Sequence, residues 1–304
     1  MEKVSILHLI TAAKNASPFD VNMAFDAGFD NIMPYTNVTL NEVAGLVQDA
    51  IFSRSPSGIK REGIFIGGRD IDLAMDMFES AQKAMFNPFE VSVFADPSGA
   101  FTTAAAMVAK VELHLKRHFQ TDLHGKHVAV FGATGPVGGC AAVIAAKQGA
   151  KVELVAHRTL ADVQQIAQHL NQRYGIALHA VEGVSEASKL AILAKSDIAL
   201  CTAAAGVRVI QISQISASAN LKIIADVNAV APSGAEGVEA GADGVRIAET
   251  SVLGIGALAI GNLKYKTQHQ LLESMLIRAQ TKNKPNYLEF MAAFNVARAL
   301  SAEV

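Results

Sequence analysis

The stretch Lys126-His-Val-Ala-Val-Phe-Gly-Ala-Thr-Gly-Pro-Val-Gly-Gly139 joins a short apolar strand to a glycine-rich turn and an alanine-rich helix, and it constrains the fold more than any other segment. Gly132 and Gly135 let the backbone turn tightly and approach a pyrophosphate, and Gly138 lets helix and strand pack closely. Thr134, Pro136 and Val137 complete the turn and open the helix, whose N-terminus presents unpaired N–H groups to an anion. A dinucleotide is therefore the expected ligand. The spacing is G-x-x-G-x-x-G rather than G-x-G-x-x-G, and a glycine cluster after a strand also serves as a plain tight turn.

The next segment indicates which dinucleotide. Residues 151–156 (KVELVA) read as the second strand of the unit. About 20 residues beyond the glycines, an NAD site usually carries Asp or Glu for the ribose diol. Here His157 and Arg158 stand instead. A guanidinium holds a 2′-phosphate by charge-assisted hydrogen bonds, whereas a carboxylate would repel it, so NADP is expected ahead of NAD. The bland alternative is a solvated arginine at a strand end.

A chain of 304 residues with 51% hydrophobic content can bury a large core and is expected to form two domains. A net charge of -2 with mixed signs supplies no basic block for nucleic acid and no polybasic membrane anchor. Cys140 and Cys201 make no C-x-x-C, and read as buried thiols in a reducing cytoplasm. No signal-like segment and no long uninterrupted apolar run is present, so a cytoplasmic protein is expected. The histidines make no H-E-x-x-H or similar cluster, so no metal is expected. There is no G-x-S-x-G elbow for a serine hydrolase, and no Y-x-x-x-K pair for a short-chain alcohol dehydrogenase.

Ahead of the glycine turn, four strand–helix pairs alternate: residues 5–11 with 18–28, 31–35 with 40–51, 63–68 with 70–85, and 91–96 with 101–116. The expected fold class is α/β: two parallel α/β domains, one of them a Rossmann dinucleotide-binding domain. Residues 1–120 form the N-terminal substrate domain, 121–255 the Rossmann domain, and 256–304 C-terminal helices that return to the first domain. Later strands of the second sheet are expected at 176–181, 197–203, 221–226 and 244–249, and a long helical stretch from Ile255 to Gln280. If the last helices return, the chain crosses an interdomain cleft twice, where a nicotinamide would meet its substrate; the alternative is that they only cap the Rossmann sheet.

Four loops are unusual for connectors: Ser17-Pro-Phe-Asp20, Asp96-Pro-Ser-Gly-Ala-Phe-Thr-Thr103, Asp226-Val-Asn-Ala229 and the segment Gly254 to Lys264. Capping explains much of the first two. Ser17 before Pro18 suits an N-cap, Asp20 favours the helix dipole, and Thr102 and Thr103 suit a helix start. Phe19 is either a core staple or a stacking surface for a flat ligand. Lys264 either points into a cleft or snorkels to solvent.

Taken together, SPFDVNMAFDAGFD, QDAIFSRSPSG, GIFIGG, VFADPSGAFTTAAAMVA, GATGPVGG, DVNAVAP and GIGALAIGNLKYKTQ resemble the methylene-tetrahydromethanopterin dehydrogenases of methylotrophic bacteria, over nearly the whole chain. The resemblance implies oxidation of the methylene bridge of a reduced pterin to the methenyl cation, with NADP or NAD as hydride acceptor, in formaldehyde oxidation. It implies that Phe19 holds the pterin face, that Asp20 is a polar contact and that Lys264 positions the substrate. Asp96, Thr102 and Thr103 are further substrate candidates. Thr202, Ala203, Asn228 and Ala257 are placed beside ribose and nicotinamide by strand ends and resemblance together. The N-terminal sequence is most similar to the family type that uses both cofactors, yet Arg158 matches the NADP-specific type. A homo-oligomer is expected. The competing readings are a methylene-tetrahydrofolate dehydrogenase, and a non-catalytic NADP-binding sensor that would keep the glycine turn without the substrate residues.

Overall fold

Two sheets, parallel but for one edge strand, account for the strand pattern in the computed structural model, which describes residues 4–280 and 284–302. The first sheet is built from β1 (Ile6–Ile10), β2 (Asn31–Tyr35), β3 (Glu62–Ile66), β4 (Ser92–Ala95) and β12 (Tyr287–Leu288), in the order β12-β4-β3-β1-β2 with every pairing parallel. Its crossover helices are α1 (Pro18–Asp26), α2 (Leu40–Phe52) and α3 (Ile71–Lys83). β3 and β4 are buried at every position, as central parallel strands covered on both faces must be. β2 is largely exposed and carries Pro34, which an edge strand tolerates because one side of its backbone pairs with nothing.

The second sheet has the order β10-β11-β9-β8-β5-β6-β7. Its members are β5 (His127–Phe131), β6 (Lys151–Ala156), β7 (Leu178–Glu182), β8 (Ile198–Cys201), β9 (Ile223–Asp226), β10 (Asp243–Arg246) and β11 (Leu253–Ile255). The helices α5 (Pro136–Lys147), α6 (Leu160–Tyr174), α7 (Glu186–Lys195) and the short α8 (Ile212–Ser216) connect them. From β5 the chain runs outward through β6 and β7, then returns to lay β8 on the other side of β5. This reversal creates a crevice at the carboxyl ends of β5 and β8, where doubly wound sheets bind ligands.

By internal contacts the chain divides into two units, Met1–Thr102 with Tyr265–Val296, and Thr103–Lys264 with Ala297–Val304. Three long helices are shared between these segments in sequence: α4 (Ala100–Phe119), α9 (Ala257–Gln280) and α10 (Phe290–Ala302).

The second sheet departs from an all-parallel expectation at one edge, where β10 runs antiparallel to β11. Only residues 247–252 connect the two strands, closed by the Ile247 N–H donating to the Val252 carbonyl at 2.9 Å. A parallel crossover needs a dozen residues or more, so the short connection dictates a hairpin. Ile255, the first residue of the stretch expected to be helical, is instead the last residue of β11, and α9 begins two residues later, at Ala257. β12 is too short for any periodicity to reveal. It is tied in by the Val93 N–H donating to the Asn286 carbonyl at 2.9 Å and the Asn286 N–H donating to Ser92 Oγ at 3.0 Å.

The β10 edge is pinned to α4 by charge. Lys110 Nζ lies 2.6 Å from Asp243 Oδ2 and His114 Nε2 2.8 Å from Asp243 Oδ1, with both α4 side chains buried. The hydrogen bond from His114 lowers the Asp243 carboxyl to about 2, with Lys110 adding to it against the opposing effect of burial. A depressed carboxyl stabilises the fold above its unfolded value of 3.8, and that stabilisation is lost as pH falls towards about 2. Because the Asp243 side chain is 40% exposed, solvent screening limits the contribution to on the order of 1 kcal/mol. Acid unfolding of the wild type and Asp243→Asn should therefore show a stability gap that narrows by about that amount between pH 4 and pH 2. A gap that stays constant over this window would remove the ion pair from the account of acid stability.

Candidate functional site

β5 delivers the chain into the glycine turn with Gly132 at φ +86°, a backbone region that side-chain-bearing residues rarely adopt. The turn is closed by the Gly135 N–H donating to the Gly132 carbonyl at 3.0 Å. Gly135 then serves as N-cap and Pro136 as the first residue of α5. No side chain caps this end and no acidic residue sits in its first turn, so the positive end of the helix is open to an anion. The end of β8 packs directly beneath: the Thr202 N–H and Oγ1 both donate to the Phe131 carbonyl, at 2.8 and 2.9 Å. A Cβ on Gly132 would lie 2.5 Å from Ala203 N and from Thr202 C, and one on Gly138 2.5 Å from Thr202 Oγ1. These two glycines are required by close backbone approach, not by flexibility alone.

Above the turn lies a cavity of about 650 Å³, a size that suits a cofactor. Of the residues expected at a dinucleotide, Gly132, Thr134, Gly135, Pro136, His157, Arg158, Thr202 and Ala203 line it. Val137 and Gly138 belong to the first turn of α5 but not to the lining. Ala257, the first residue of α9, lies outside it, as does Asn228. Asn228 is engaged locally. Its Oδ1 accepts from the N–H groups of Gly206 and Val230 at 3.2 and 3.0 Å, and its Nδ2 donates to the Pro232 carbonyl at 3.0 Å. Beside it, the buried Asp226 accepts from the Asn228 and Ala235 N–H groups at 2.9 Å each. Burial raises the Asp226 carboxyl, and these backbone donors oppose the rise. The segment read from sequence as a ligand loop is thus braced from within.

The cavity also holds residues that the sequence did not single out, above all Lys189 in α7 and Arg208 beyond β8. Both follow strands by several residues, with no glycine motif to mark them. Arg158 and His157 are exposed at the end of β6, and among the described residues Arg158 has no ion-pair partner. An uncapped helix end, a backbone cradle that a Cβ would fill, and unneutralised positive charge just beyond β6 all fit a phosphorylated dinucleotide. Burial pushes the Cys201 thiol well above its ordinary value, which removes it as a nucleophile.

In the first unit, Ser17 caps α1 by accepting from the Asp20 N–H at 3.3 Å, as its position before Pro18 leads one to expect. Phe19, next to it, is 46% exposed and presents its ring at the surface. Asp20 is buried, and its Oδ1 accepts from Gln268 Nε2 at 2.9 Å. Gln268 was not singled out from sequence. It lies in α9, four residues after the half-buried Lys264, and that helical spacing was the available signal. Asp96 and Thr102 are completely buried. Asp96 accepts from the Phe101 and Thr102 N–H groups and, at 2.6 Å, from Thr102 Oγ1, so the pair caps α4. Thr103, half-buried, follows them in that helix.

Comparison with known proteins adds an independent line. A family described as methylene-tetrahydromethanopterin dehydrogenase, N-terminal, matches residues 18–98. A protein of Methylorubrum extorquens named NAD(P)-dependent methylenetetrahydromethanopterin dehydrogenase is 45% identical over 293 residues, covering 96% of this chain and 97% of that one. A second from the same organism, named bifunctional protein MdtA, is 33% identical over 250 residues, covering 82% and 84%. Among solved structures, ornithine carbamoyltransferase from Pyrococcus furiosus aligns with a TM-score of 0.52 at 10% identity, over 89% of this chain and 84% of that one, a likeness of fold alone.

Proposed function

From the premise that the chain belongs to the methylene-tetrahydromethanopterin dehydrogenase family, we propose that it oxidises methylene-tetrahydromethanopterin to the methenyl form with NADP, and with NAD as a second acceptor. It is an NAD(P)-dependent oxidoreductase. The observation that carries the cofactor half is the cavity over the glycine turn, with Arg158 in its lining.

NADP, when bound, accepts the hydride released by the methylene carbon. That carbon lies between two ring nitrogens whose lone pairs stabilise the resulting cation, so no proton is removed and no general base is needed. The task left to the protein is orientation, which contributes on the order of 7 to 11 kcal/mol. Gly132, Gly135 and the α5 N-terminus bind the pyrophosphate, with Thr134 and Pro136 shaping the turn and Val137 and Gly138 behind it. His157 and Arg158 take the ribose 2′-phosphate. Thr202 and Ala203 set the floor. Phe19 offers a flat face to the pterin, and Asp20 a polar contact whose orientation Gln268 holds. Lys264 positions the substrate through its hydrogen-bonding head. It does not act as a base, because loss of hydride from the methylene carbon leaves no proton to remove. Asn228 and the Asp96–Thr102 pair serve by keeping their loops in shape.

The test is the absorbance change on mixing purified protein with methylene-tetrahydromethanopterin and either cofactor, with methylene-tetrahydrofolate in parallel. Turnover with the methanopterin and NADP is expected. Faster turnover with the folate would replace the substrate assignment, and tight NADP binding without turnover on either pterin would leave a sensor. Lys264→Ala should lower kcat by about 100-fold, the scale of a misplaced substrate, while NADP binding stays within twofold. Unchanged kcat would remove Lys264 from the site.

A further inference from the structure

We propose that Lys189 is a second anchor for the cofactor's 2′-phosphate, sharing with Arg158 the discrimination between NADP and NAD. This rests on the NADP reading above. Three cationic side chains line the cavity over the glycine turn, each from a different segment: Arg158 at the end of β6, Lys189 in α7 and Arg208 beyond β8. They differ in what already holds them. Arg208 is paired with Glu236 at 3.3 Å, and Lys189 with Glu186 at 3.2 Å, whereas Arg158 has no such partner among the described residues.

The sheet order separates the two paired cations. Lys189 belongs to the helix that follows β7, and β7 is the neighbour of β6, the strand whose last residue lies two positions before Arg158. Arg208 follows β8, which lies across β5 from β6, on the side of the pyrophosphate turn. Lys189 is therefore the cation whose strand neighbours the ribose position.

Its present partnership is easily exchanged. The Lys189–Glu186 pair spans three residues of one helix, and although the Lys189 side chain is 19% exposed, its carboxylate partner is 60% exposed and solvated, so the pair holds the lysine only weakly. Glu186 would not be orphaned by losing the lysine, because its Oε2 also accepts from Gln214 Nε2 at 2.7 Å. A dianionic phosphate offers an ammonium more charge and more acceptors than one solvated carboxylate oxygen. The four-carbon stem of lysine allows the swing. The carboxylate that holds Lys189 when no phosphate is bound thus stores a cation beside the site without neutralising it permanently.

The experiment is calorimetric binding of 2′,5′-ADP and 5′-ADP to the full chain and to Lys189→Met and Arg208→Met, with KM and kcat for both cofactors measured alongside. The wild type is expected to prefer 2′,5′-ADP. Lys189→Met should weaken 2′,5′-ADP about five- to tenfold, leave 5′-ADP within twofold, and raise KM for NADP without changing kcat. Equal loss on both nucleotides, no loss on either, or a selective loss confined to Arg208→Met would overturn the assignment. A wild type that does not distinguish the two nucleotides would overturn the NADP reading itself, and this inference with it.

Discussion

Gly132→Val should abolish cofactor binding within a chain that still folds. Two costs fall on this position. The first is conformational, since φ of +86° strains any residue with a Cβ, and a β-branched one most, by about 1 to 2 kcal/mol. The second is steric, since the new Cβ would meet Ala203 N and Thr202 C at 2.5 Å. Those are backbone atoms, held by the Thr202 N–H donating to the Phe131 carbonyl at 2.8 Å, and they cannot turn aside as a flexible side chain could. Relief must come from the turn itself, which lifts away from β8 into the volume the pyrophosphate needs. Overpacking of this kind costs about 1 to 3 kcal/mol more, so a loss of NADP affinity of about 100-fold or greater is expected. Gly175→Ala supplies the control. Gly175 also has positive φ, +64° at the end of α6, but a Cβ there meets nothing within 4 Å. Its variant should lose about 1 kcal/mol of stability with NADP affinity intact. If both variants bind NADP like the wild type, the cavity over the turn is not the cofactor site.

Arg158→Asp should invert cofactor preference. The guanidinium is exposed and, among the described residues, unpaired, so its removal should leave thermal stability within about 0.5 kcal/mol. What it removes is a charge-assisted contact worth about 1.5 to 3 kcal/mol, and the aspartate adds repulsion towards a 2′-phosphate. The expected fall in kcat/KM for NADP is about 100- to 1000-fold. With NAD the same carboxylate can accept from the ribose diol, so kcat/KM should hold or rise. Parallel losses with NADP and NAD would show that Arg158 supports the cavity's shape rather than reading the phosphate.

The legible part of the site is the part written in consecutive residues. The strand, glycine turn and helix from Lys126 to Gly139 carry their own geometry, since the φ values and the helix end arise within one short segment. Arg158 was legible because a βαβ unit sets the distance from the glycines to the end of its second strand. The loops containing Asp96 and Asn228 stood out by the same kind of reading, but their polar side chains are spent inside the fold, capping α4 and bracing residues 226–235. Composition shows that such a loop is special, and not whether its side chains face a ligand or their own backbone. The antiparallel edge was missed because strand direction follows from connection length and sheet position, neither of which the Asp243–Arg246 residues encode.

By itself, then, the sequence determined the two α/β sheets, the glycine turn, the cofactor class and the family, because each rests on local backbone preference or on long runs of matching residues. Only the tertiary structure decided that Lys189 and Arg208 line the same cavity as Arg158, and that Gln268 holds Asp20 across 248 positions of chain. Those meetings depend on the order in which strands are laid into a sheet and on where a returning helix packs. That order follows from the burial of whole faces, to which no single residue's identity is a guide.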